Sequence, residues 1–314
     1  MGRRSQADKD MSRTGNMFRR PSRGATLGEF VRLGQGYLEM HEVESARLSA
    51  EYLLAQALDC ERCDLYLRFN EHPPEHVLAR YREYLAKRTA HYPLQYLCGE
   101  VEFYSLPFRV EEGVFIPRPE TELLVEWIEE ILEGVKDVRF LEFGVGTGVI
   151  SGSLAVRHPQ WTGVAFDLSP PSVSLARDNF TSLGISDRVV MFAADGFNAI
   201  FPTHPFDLLV ANPPYIPSSA ICALQPEVSM YENISAIDGG SDGTAFYPLL
   251  AEAGMCYLKS GGLLALEIGD GQAADVETIL RYSGYEWISM RRDYNGMERM
   301  VTALRPVSGK ETDG

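Results

Sequence analysis

The chain has 314 residues, a net charge of −15, and a composition of 45% hydrophobic and 23% charged residues. This length accommodates one large domain and a smaller one, and the composition is that of an ordinary globular protein. No apolar run approaches the roughly 20 residues that a membrane span requires, and the charged N-terminus does not resemble a secretory signal. We therefore expect a cytoplasmic protein without membrane association.

The charge is distributed unevenly. Residues 1–24 contain seven Lys or Arg and two Asp, a net charge of +5 that leaves −20 for the remainder. Stable binding to nucleic acid normally requires a basic face that neutralises phosphates. We expect a disordered basic tail over 1–26 and no stable binding of nucleic acid by the acidic body.

Residues 27–92 are predicted to form a small helical domain. Apolar residues recur there at spacings of three and four, which is typical of amphipathic helices. One predicted face contains Val43, Ala46, Ala50, Leu53, Leu54 and Ala57, and a second, after Pro73-Pro74, contains Leu78, Tyr81 and Leu85. Over 27–100 there are eight Lys or Arg and twelve Asp or Glu, so this domain is poorly suited to gripping DNA.

The five cysteines give no metal signature. Cys60 and Cys63 form one CxxC pair, but a structural zinc site needs a second pair or nearby histidines at ligand spacing. We predict no metal site and interpret these two residues as thiols in a reducing compartment.

The sequence pattern changes from helical periodicity to an extended pattern at residues 93–118. Aromatic residues and loose alternation between Phe103 and Val110 predict a hairpin that links two domains. From 119 to 305, short apolar strands alternate with helix-length segments, which predicts a seven-stranded, mainly parallel, Rossmann-like α/β sheet. Residues 306–314 are expected to be a tail. The predicted strands are Val138–Phe143, Gly163–Asp167, Val189–Ala193, Phe206–Ala211, Gly262–Ile268, Trp287–Arg291 and Met300–Leu304.

A glycine-rich loop closes the first of these strands and opens a helix. It contains the candidate cofactor-binding residues Glu142, Gly144, Val145, Gly146, Thr147 and Gly148. Its glycines permit a tight turn and a close approach of the backbone to a ligand. By itself this pattern fits a nicotinamide dinucleotide, S-adenosyl-L-methionine, or a plain tight turn.

Acidic residues end the next two strands and help to distinguish between these interpretations of the glycine loop. Asp167 ends the second predicted strand, where a carboxylate can accept hydrogen bonds from both ribose hydroxyls of an adenosine. Because Ser169 is the better candidate for the helix N-cap, Asp167 remains available for a ligand. Asp195, followed by Gly196, ends the third strand, where it either accepts from an adenine amino group or is a loop aspartate. An acid at each strand end is the pattern of adenosyl methyltransferases.

The most specific motif is Asn212-Pro213-Pro214-Tyr215, after the fourth strand. Adjacent prolines fix the backbone and lack N–H groups, which leaves nearby carbonyls free to accept. With the Asn212 side chain, these carbonyls can hold both hydrogens of a planar –NH2 group, and Tyr215 offers a face for stacking. Positioning of such a nitrogen at an activated methyl supplies most of the catalysis. We therefore predict that this motif holds a planar –NH2 group for methyl transfer. The alternative is a turn between the strand and a loop, without a catalytic role.

Together these segments resemble the HemK/PrmC family of protein-(glutamine-N5) methyltransferases over roughly residues 27–305. The sequence departs from the family pattern at Glu142, where Asp is commoner, at Asn233, where Pro is usual, and at Gly196, where the residue is bulkier. The similar segments are Pro93–Gly99, Ile116–Glu122, Gly144–Gly148, Asn212–Tyr215, Leu266–Gly269 and Arg292–Arg299.

The resemblance implies a class I methyltransferase fold with a helical substrate-recognition domain. It implies S-adenosyl-L-methionine as the methyl donor and the glutamine of the Gly-Gly-Gln loop of peptide chain release factors as the acceptor. It also places Phe103 beside the methyl-transfer site, in addition to Asn212–Tyr215. Two alternatives are a DNA adenine amino-methyltransferase, which uses the same motif on a flipped base, and an inactive cofactor-binding module.

Overall fold

The computed structural model describes residues 24–200 and 204–307. Most of the predicted basic tail and of the predicted C-terminal tail therefore lies outside the described residues. The described chain divides into two compact units. One runs to Gly99 and also contains Pro226–Tyr231, and the other contains Glu100–Gln225 and the described residues from Glu232 onward.

The first unit is helical because its apolar residues follow the helical period. Every residue of the two predicted apolar faces is buried, so this prediction is confirmed. Thr26 begins the first helix with a capping box, in which its hydroxyl accepts from the N–H of Glu29 and the Glu29 carboxylate accepts from the N–H of Thr26, satisfying two N–H groups. The helices are α1 (Leu27–Glu39), α2 (Ala46–Ala57), α3 (Arg62–Leu67), α4 (Glu75–Thr89), α5 (Leu94–Cys98) and α9 (Pro226–Tyr231).

The predicted hairpin linker is shorter than expected and belongs to the second unit. Residues 94–98 form α5, and the hairpin consists of β1 (Glu100–Phe103) and β2 (Leu106–Arg109), which pair antiparallel. Phe103 and Phe108 are both buried in the core of the α/β unit. Burial of these two rings makes the hairpin a part of that unit.

The second unit is a seven-stranded sheet with helices on both faces. Its strand order is β5-β4-β3-β6-β7-β9-β8, parallel from β5 through β7, with β9 antiparallel to both of its neighbours. The predicted α/β class is therefore confirmed. Its strands are β3 (Arg139–Phe143), β4 (Thr162–Asp167), β5 (Val189–Ala193), β6 (Phe206–Ala211), β7 (Leu258–Glu267), β8 (Glu286–Arg292) and β9 (Glu298–Leu304), and its helices are α6 (Glu120–Ile131), α7 (Val149–Arg157), α8 (Pro170–Ser182), α10 (Phe246–Tyr257) and α11 (Ala273–Tyr282).

Strand order decides where a ligand can bind. The chain runs outward from β3 to β5 and then returns to β6 beside β3, which makes the β3–β6 junction the switch point of the sheet. Phe143 and Ala211, the last residues of these two strands, are paired in register. The glycine loop and Asn212 therefore leave the sheet side by side.

The start of β7 differs from its prediction. The strand begins at Leu258 rather than at Gly262, with a register irregularity against β6. Gly261 takes a φ of +72° there, and its left-handed backbone accompanies a local distortion within the strand. No described helix is long and apolar enough to cross a membrane.

Candidate active site

A cavity of about 260 Å3 lies at the carboxyl ends of β3, β4, β5 and β6. Its walls come from the residues that follow each of these strands, from the segment before α6, and from a loop and helix downstream of β6. All of these belong to the α/β unit. This is the position at which doubly wound sheets bind ligands.

The glycine loop forms one wall through backbone that only glycine adopts readily. Gly144 and Gly146 line the cavity with φ of +73° and +53°. Val145 and Thr147 also line it. Gly148, predicted to bind cofactor, does not line the cavity. It begins α7 with a φ of +85°, and a Cβ there would lie 2.5 Å from the Phe180 ring, so its role is close packing.

Glu142 is a buried acid in the cavity wall. It is 1% exposed, and one carboxylate oxygen accepts from both the backbone N–H, at 3.1 Å, and the hydroxyl of Ser151. Burial is the main reason that its pKa is raised to about 8; the hydrogen bonds from Ser151 act to lower the pKa, and the neighbouring Asp167 acts to raise it. A cation bound in the cavity would lower the pKa of Glu142 and favour its ionised form.

This burial predicts a pH-dependent stability. The pKa of Glu142 rises from an ordinary 4.5 to about 8 in the folded protein, so its contribution is fully present below the unfolded pKa and lost as pH rises through the folded one. Glu142→Gln should therefore gain stability relative to the ligand-free wild type between about pH 5 and 9. Urea unfolding across this range, with the exposed Glu133→Gln as the control, measures the difference. A difference that does not change with pH would contradict the assignment.

Asp167 lies in the cavity wall with its orientation fixed. One carboxylate oxygen accepts from the N–H of Gly146 at 2.9 Å, and the other accepts from the N–H of Ser169 at 2.8 Å. Ser169 caps α8 by accepting from the N–H of Ser172, as predicted. Burial raises the pKa of Asp167. Each oxygen keeps a second lone pair for a ligand.

Asp195 and Gly196 form the wall beyond β5. The strand ends at Ala193, so Asp195 follows it by two residues rather than ending it, and its side chain is exposed at the cavity. Gly196 takes φ +74° and ψ −165°, a region essentially restricted to glycine, and a Cβ there would meet nothing within 4 Å. A bulkier residue would have space but a strained backbone.

The charge of the cavity distinguishes between ligand classes. Its lining includes three acidic residues, Glu142, Asp167 and Asp195, and none of the described residues that line it is Lys, Arg or His. A pyrophosphate would meet repulsion from such a wall, since anions at glycine loops are held by N–H groups and cations. The lining suits a ligand with hydroxyls and positive charge.

Asn212 and Pro214 form the wall beside the glycine loop. The Asn212 Nδ2 donates to Thr121 Oγ1 at 3.0 Å. Pro213 is buried and does not line the cavity, and no described residue donates a hydrogen bond to its carbonyl oxygen. The two prolines hold this segment in one backbone conformation.

Tyr215, predicted as a face for stacking, is not among the residues that line this cavity. Its hydroxyl donates to Glu267 Oε1 at 3.1 Å, and its carbonyl accepts from Gln272 Nε2 at 2.9 Å. Burial raises its pKa. These two hydrogen bonds fix the position of the residue that follows Asn212-Pro213-Pro214.

Phe103, which the resemblance places beside the methyl-transfer site, lies in the core of the α/β unit. It is 1% exposed, packs edge-on against Phe108 with ring centroids 6.2 Å apart, and does not line the cavity. Four phenylalanines line the cavity, Phe115, Phe143, Phe166 and Phe246. Phe115 lies in the segment that leads to α6, with the guanidinium of Arg118 over its ring at 4.9 Å. Sequence reasoning missed Phe115, although it directly precedes the Ile116–Glu122 motif.

These two placements predict opposite phenotypes. Phe115→Ala should weaken cofactor binding several-fold, because it removes apolar wall area, with little loss of stability. Phe103→Leu should lower the free energy of unfolding by about 1–2 kcal/mol and leave cofactor affinity unchanged, because it disturbs only core packing. Calorimetry with S-adenosylhomocysteine and urea unfolding of both variants would separate them. Weakened binding in Phe103→Leu alone would reverse the assignment.

A sheet of this order, with a cavity at its switch point, a glycine loop and strand-end acids, defines a class I methyltransferase. A crystal structure of a methyltransferase from Pyrococcus furiosus has this fold, with a TM-score of 0.50, 17% identity, and coverage of 65% of this chain and 91% of that one. The hMettl16 catalytic domain gives a TM-score of 0.51 at 15% identity, over 62% of this chain and 75% of its own.

Sequence comparison gives the family. The model of the PrmC N-terminal domain matches residues 29–99, and that of the methyltransferase small domain matches residues 106–224. A release factor glutamine methyltransferase of Geobacter sulfurreducens is 40% identical over 88% of this chain and 95% of its own length. One of Moorella thermoacetica is 39% identical over 89% and 97%. The chain belongs to the release factor glutamine methyltransferase family.

Proposed function

We propose that this chain transfers the methyl group of S-adenosyl-L-methionine to the side-chain amide nitrogen (N5) of the glutamine in the Gly-Gly-Gln loop of peptide chain release factors. The observation that carries the proposal is the placement of Asn212 in the cavity wall beside the glycine loop, with its –NH2 group bonded to Thr121. Its Oδ1 is then left to accept from a substrate amide.

The residues of the cavity are assigned to the parts of the adenosyl cofactor as follows. Asp167 is assigned to the ribose hydroxyls and Asp195 to the adenine amino group, since both acids line the cavity after adjacent strands. Gly144–Thr147 and the buried Glu142 are assigned to the methionine end, where a carboxylate offsets positive charge. When bound, the cofactor supplies a methyl group activated by its sulfonium sulfur.

The residues of the Asn-Pro-Pro turn orient the nucleophile. Asn212 Oδ1 accepts one hydrogen of the glutamine –NH2. The second hydrogen is assigned to the Pro213 carbonyl, which accepts from no described residue, although Pro213 is not among the residues that line the cofactor cavity. These two bonds aim the nitrogen at the methyl carbon and return electron density to it. The nitrogen bonds to that carbon as the carbon–sulfur bond breaks, and it then releases one proton to water.

We assign recognition of the release factor to the helical unit. Support comes from the match of residues 29–99 to the PrmC N-terminal domain and from the acidic balance of residues 27–100, which does not suit DNA. Release factors act on ribosomes, so the proposal also assigns the chain to the cytoplasm.

The function is tested by incubation of the full chain with labelled S-adenosyl-L-methionine and a purified release factor, followed by peptide mass mapping. One methyl group on the glutamine of the Gly-Gly-Gln peptide is expected. A release factor with Asn in place of that glutamine is the control, because its amide falls one methylene short and should stay unmethylated. Methylation of adenine in a DNA duplex, without methylation of the release factor, would replace the proposal with the DNA adenine methyltransferase.

A further inference from the structure

A buried acid lies behind the wall that Asn212 forms. Glu267 ends β7, is 1% exposed, and is not among the residues that line the cavity. Its Oε2 accepts from the Thr121 hydroxyl at 2.6 Å, and its Oε1 accepts from the Tyr215 hydroxyl at 3.1 Å. One carboxylate thus accepts from Thr121, which binds Asn212, and from Tyr215, which follows the two prolines.

These bonds fix the direction of the next one. A hydroxyl has one hydrogen, and an ionised carboxylate only accepts. Because the Thr121 hydrogen goes to Glu267, the Thr121 oxygen can only accept from Asn212, and it does so from Nδ2 at 3.0 Å. An Asn212 amide rotated by 180° would set two acceptors against each other without a hydrogen between them.

From this chain of donors and acceptors we propose that Glu267, acting through Thr121, is a positioning residue that holds the Asn212 amide with Oδ1 turned toward the substrate. The same carboxylate holds Tyr215 and so the position of the Pro213-Pro214 turn. This inference rests on the proposed function, since it specifies how the substrate amide is received.

The protonation state of Glu267 enters this arrangement. Burial raises its pKa to about 7. The hydrogen bonds from Thr121 and Tyr215 and the Arg299 guanidinium on β9 act to lower the pKa, and Glu120 on α6 acts to raise it. The Tyr247 hydroxyl on α10, which donates to Gln272, also interacts electrostatically with Glu267. The ionised form accepts from both hydroxyls with no hydrogen of its own. The protonated form carries a hydrogen on one oxygen, and this hydrogen either goes to one of the two hydroxyls, which reverses that bond, or stays buried without an acceptor.

The direct test compares isosteric variants of Thr121. Thr121→Val keeps the shape but removes the hydroxyl, and kcat for release factor methylation should fall about tenfold or more. Thr121→Ser should restore most of kcat. Binding of S-adenosylhomocysteine should change little in either. Thr302→Val on β9 is the matched control, since Thr302 is 3% exposed against 2% for Thr121 and does not line the cavity.

The pH dependence of kcat in a second variant, Glu267→Gln, distinguishes a positioning role from a purely structural one. Wild-type kcat should rise with pH through about pH 7 and then level off, as the carboxylate ionises. Glu267→Gln cannot ionise, so its kcat should be low and should lack this rise, while its thermal unfolding shows that it is folded.

The outcomes separate this inference from the function on which it rests. If the wild type does not methylate the release factor, both the proposed function and the positioning role of Glu267 are contradicted. A wild type that is active, together with a Thr121→Val variant of unchanged kcat or a Glu267→Gln variant with the wild-type pH profile, overturns only the positioning role. If Thr121→Val fails to fold, the pH profiles of the wild type and of Glu267→Gln decide the matter.

Discussion

Asn212→Ala is expected to lower kcat about 100-fold or more, the effect of deleting one preorganised hydrogen-bonding group in an active site. The variant removes one of the two acceptors proposed for the substrate –NH2, which frees the amide to rotate. Since orientation is what fails, the loss should appear in kcat rather than in KM. Rapid-quench assays with labelled cofactor and a purified release factor would measure it.

Cofactor binding is the internal control for this variant. Asp167 and the glycine loop are proposed to hold the adenosyl group, so the Kd for S-adenosylhomocysteine should change little in Asn212→Ala. Full activity of Asn212→Ala on the release factor would disprove the mechanism. A large loss of cofactor affinity with unchanged kcat would place Asn212 in the cofactor site alone.

A finer variant separates charge from geometry. Asn212→Asp keeps an acceptor of the same shape, but its carboxylate cannot donate to Thr121 as the Asn212 Nδ2 does. We expect partial activity and tighter binding of S-adenosyl-L-methionine, because a negative charge then lies beside the sulfonium. Calorimetry against S-adenosylhomocysteine, which lacks the sulfonium charge, should show a smaller gain.

The second large effect is expected at Asp167. Asp167→Ala should weaken cofactor binding by about 1.5–3 kcal/mol, the size of hydrogen bonds to a charged group, or about 10- to 150-fold in Kd. Part of this loss comes from the loop itself, since the carboxylate accepts from the N–H groups of Gly146 and Ser169. Calorimetry with S-adenosylhomocysteine measures the total.

A modified ligand isolates the ribose contact. S-adenosylhomocysteine without the ribose 2′-hydroxyl should bind more weakly than the parent ligand to the wild type, but equally well to Asp167→Ala. Asp187→Ala, at an exposed acid away from the cavity, is the control and should bind as the wild type does. Unchanged affinity in Asp167→Ala would remove this residue from the site.

The features that could be predicted from the sequence are its periodic patterns and the backbone restrictions of its glycines and prolines. Alternation of apolar strands with helical segments fixes the α/β class, because each element must bury one face. Three glycines after β3 and two prolines after β6 fix local backbone, because their permitted φ values do not depend on distant residues. These features were sufficient to predict the sheet, the glycine loop and the Asn-Pro-Pro turn.

Tertiary structure alone decided which side chains meet. Phe103 and Phe115 are both aromatic residues near the same motif, and only packing sends the first into the core and the second to the cavity. Glu267 and Thr121 are 146 positions apart in the chain, so no local pattern relates them. Their hydrogen bond exists because the end of β7 and the start of α6 converge behind Asn212, and convergence of that kind depends on the long-range packing of the whole sheet.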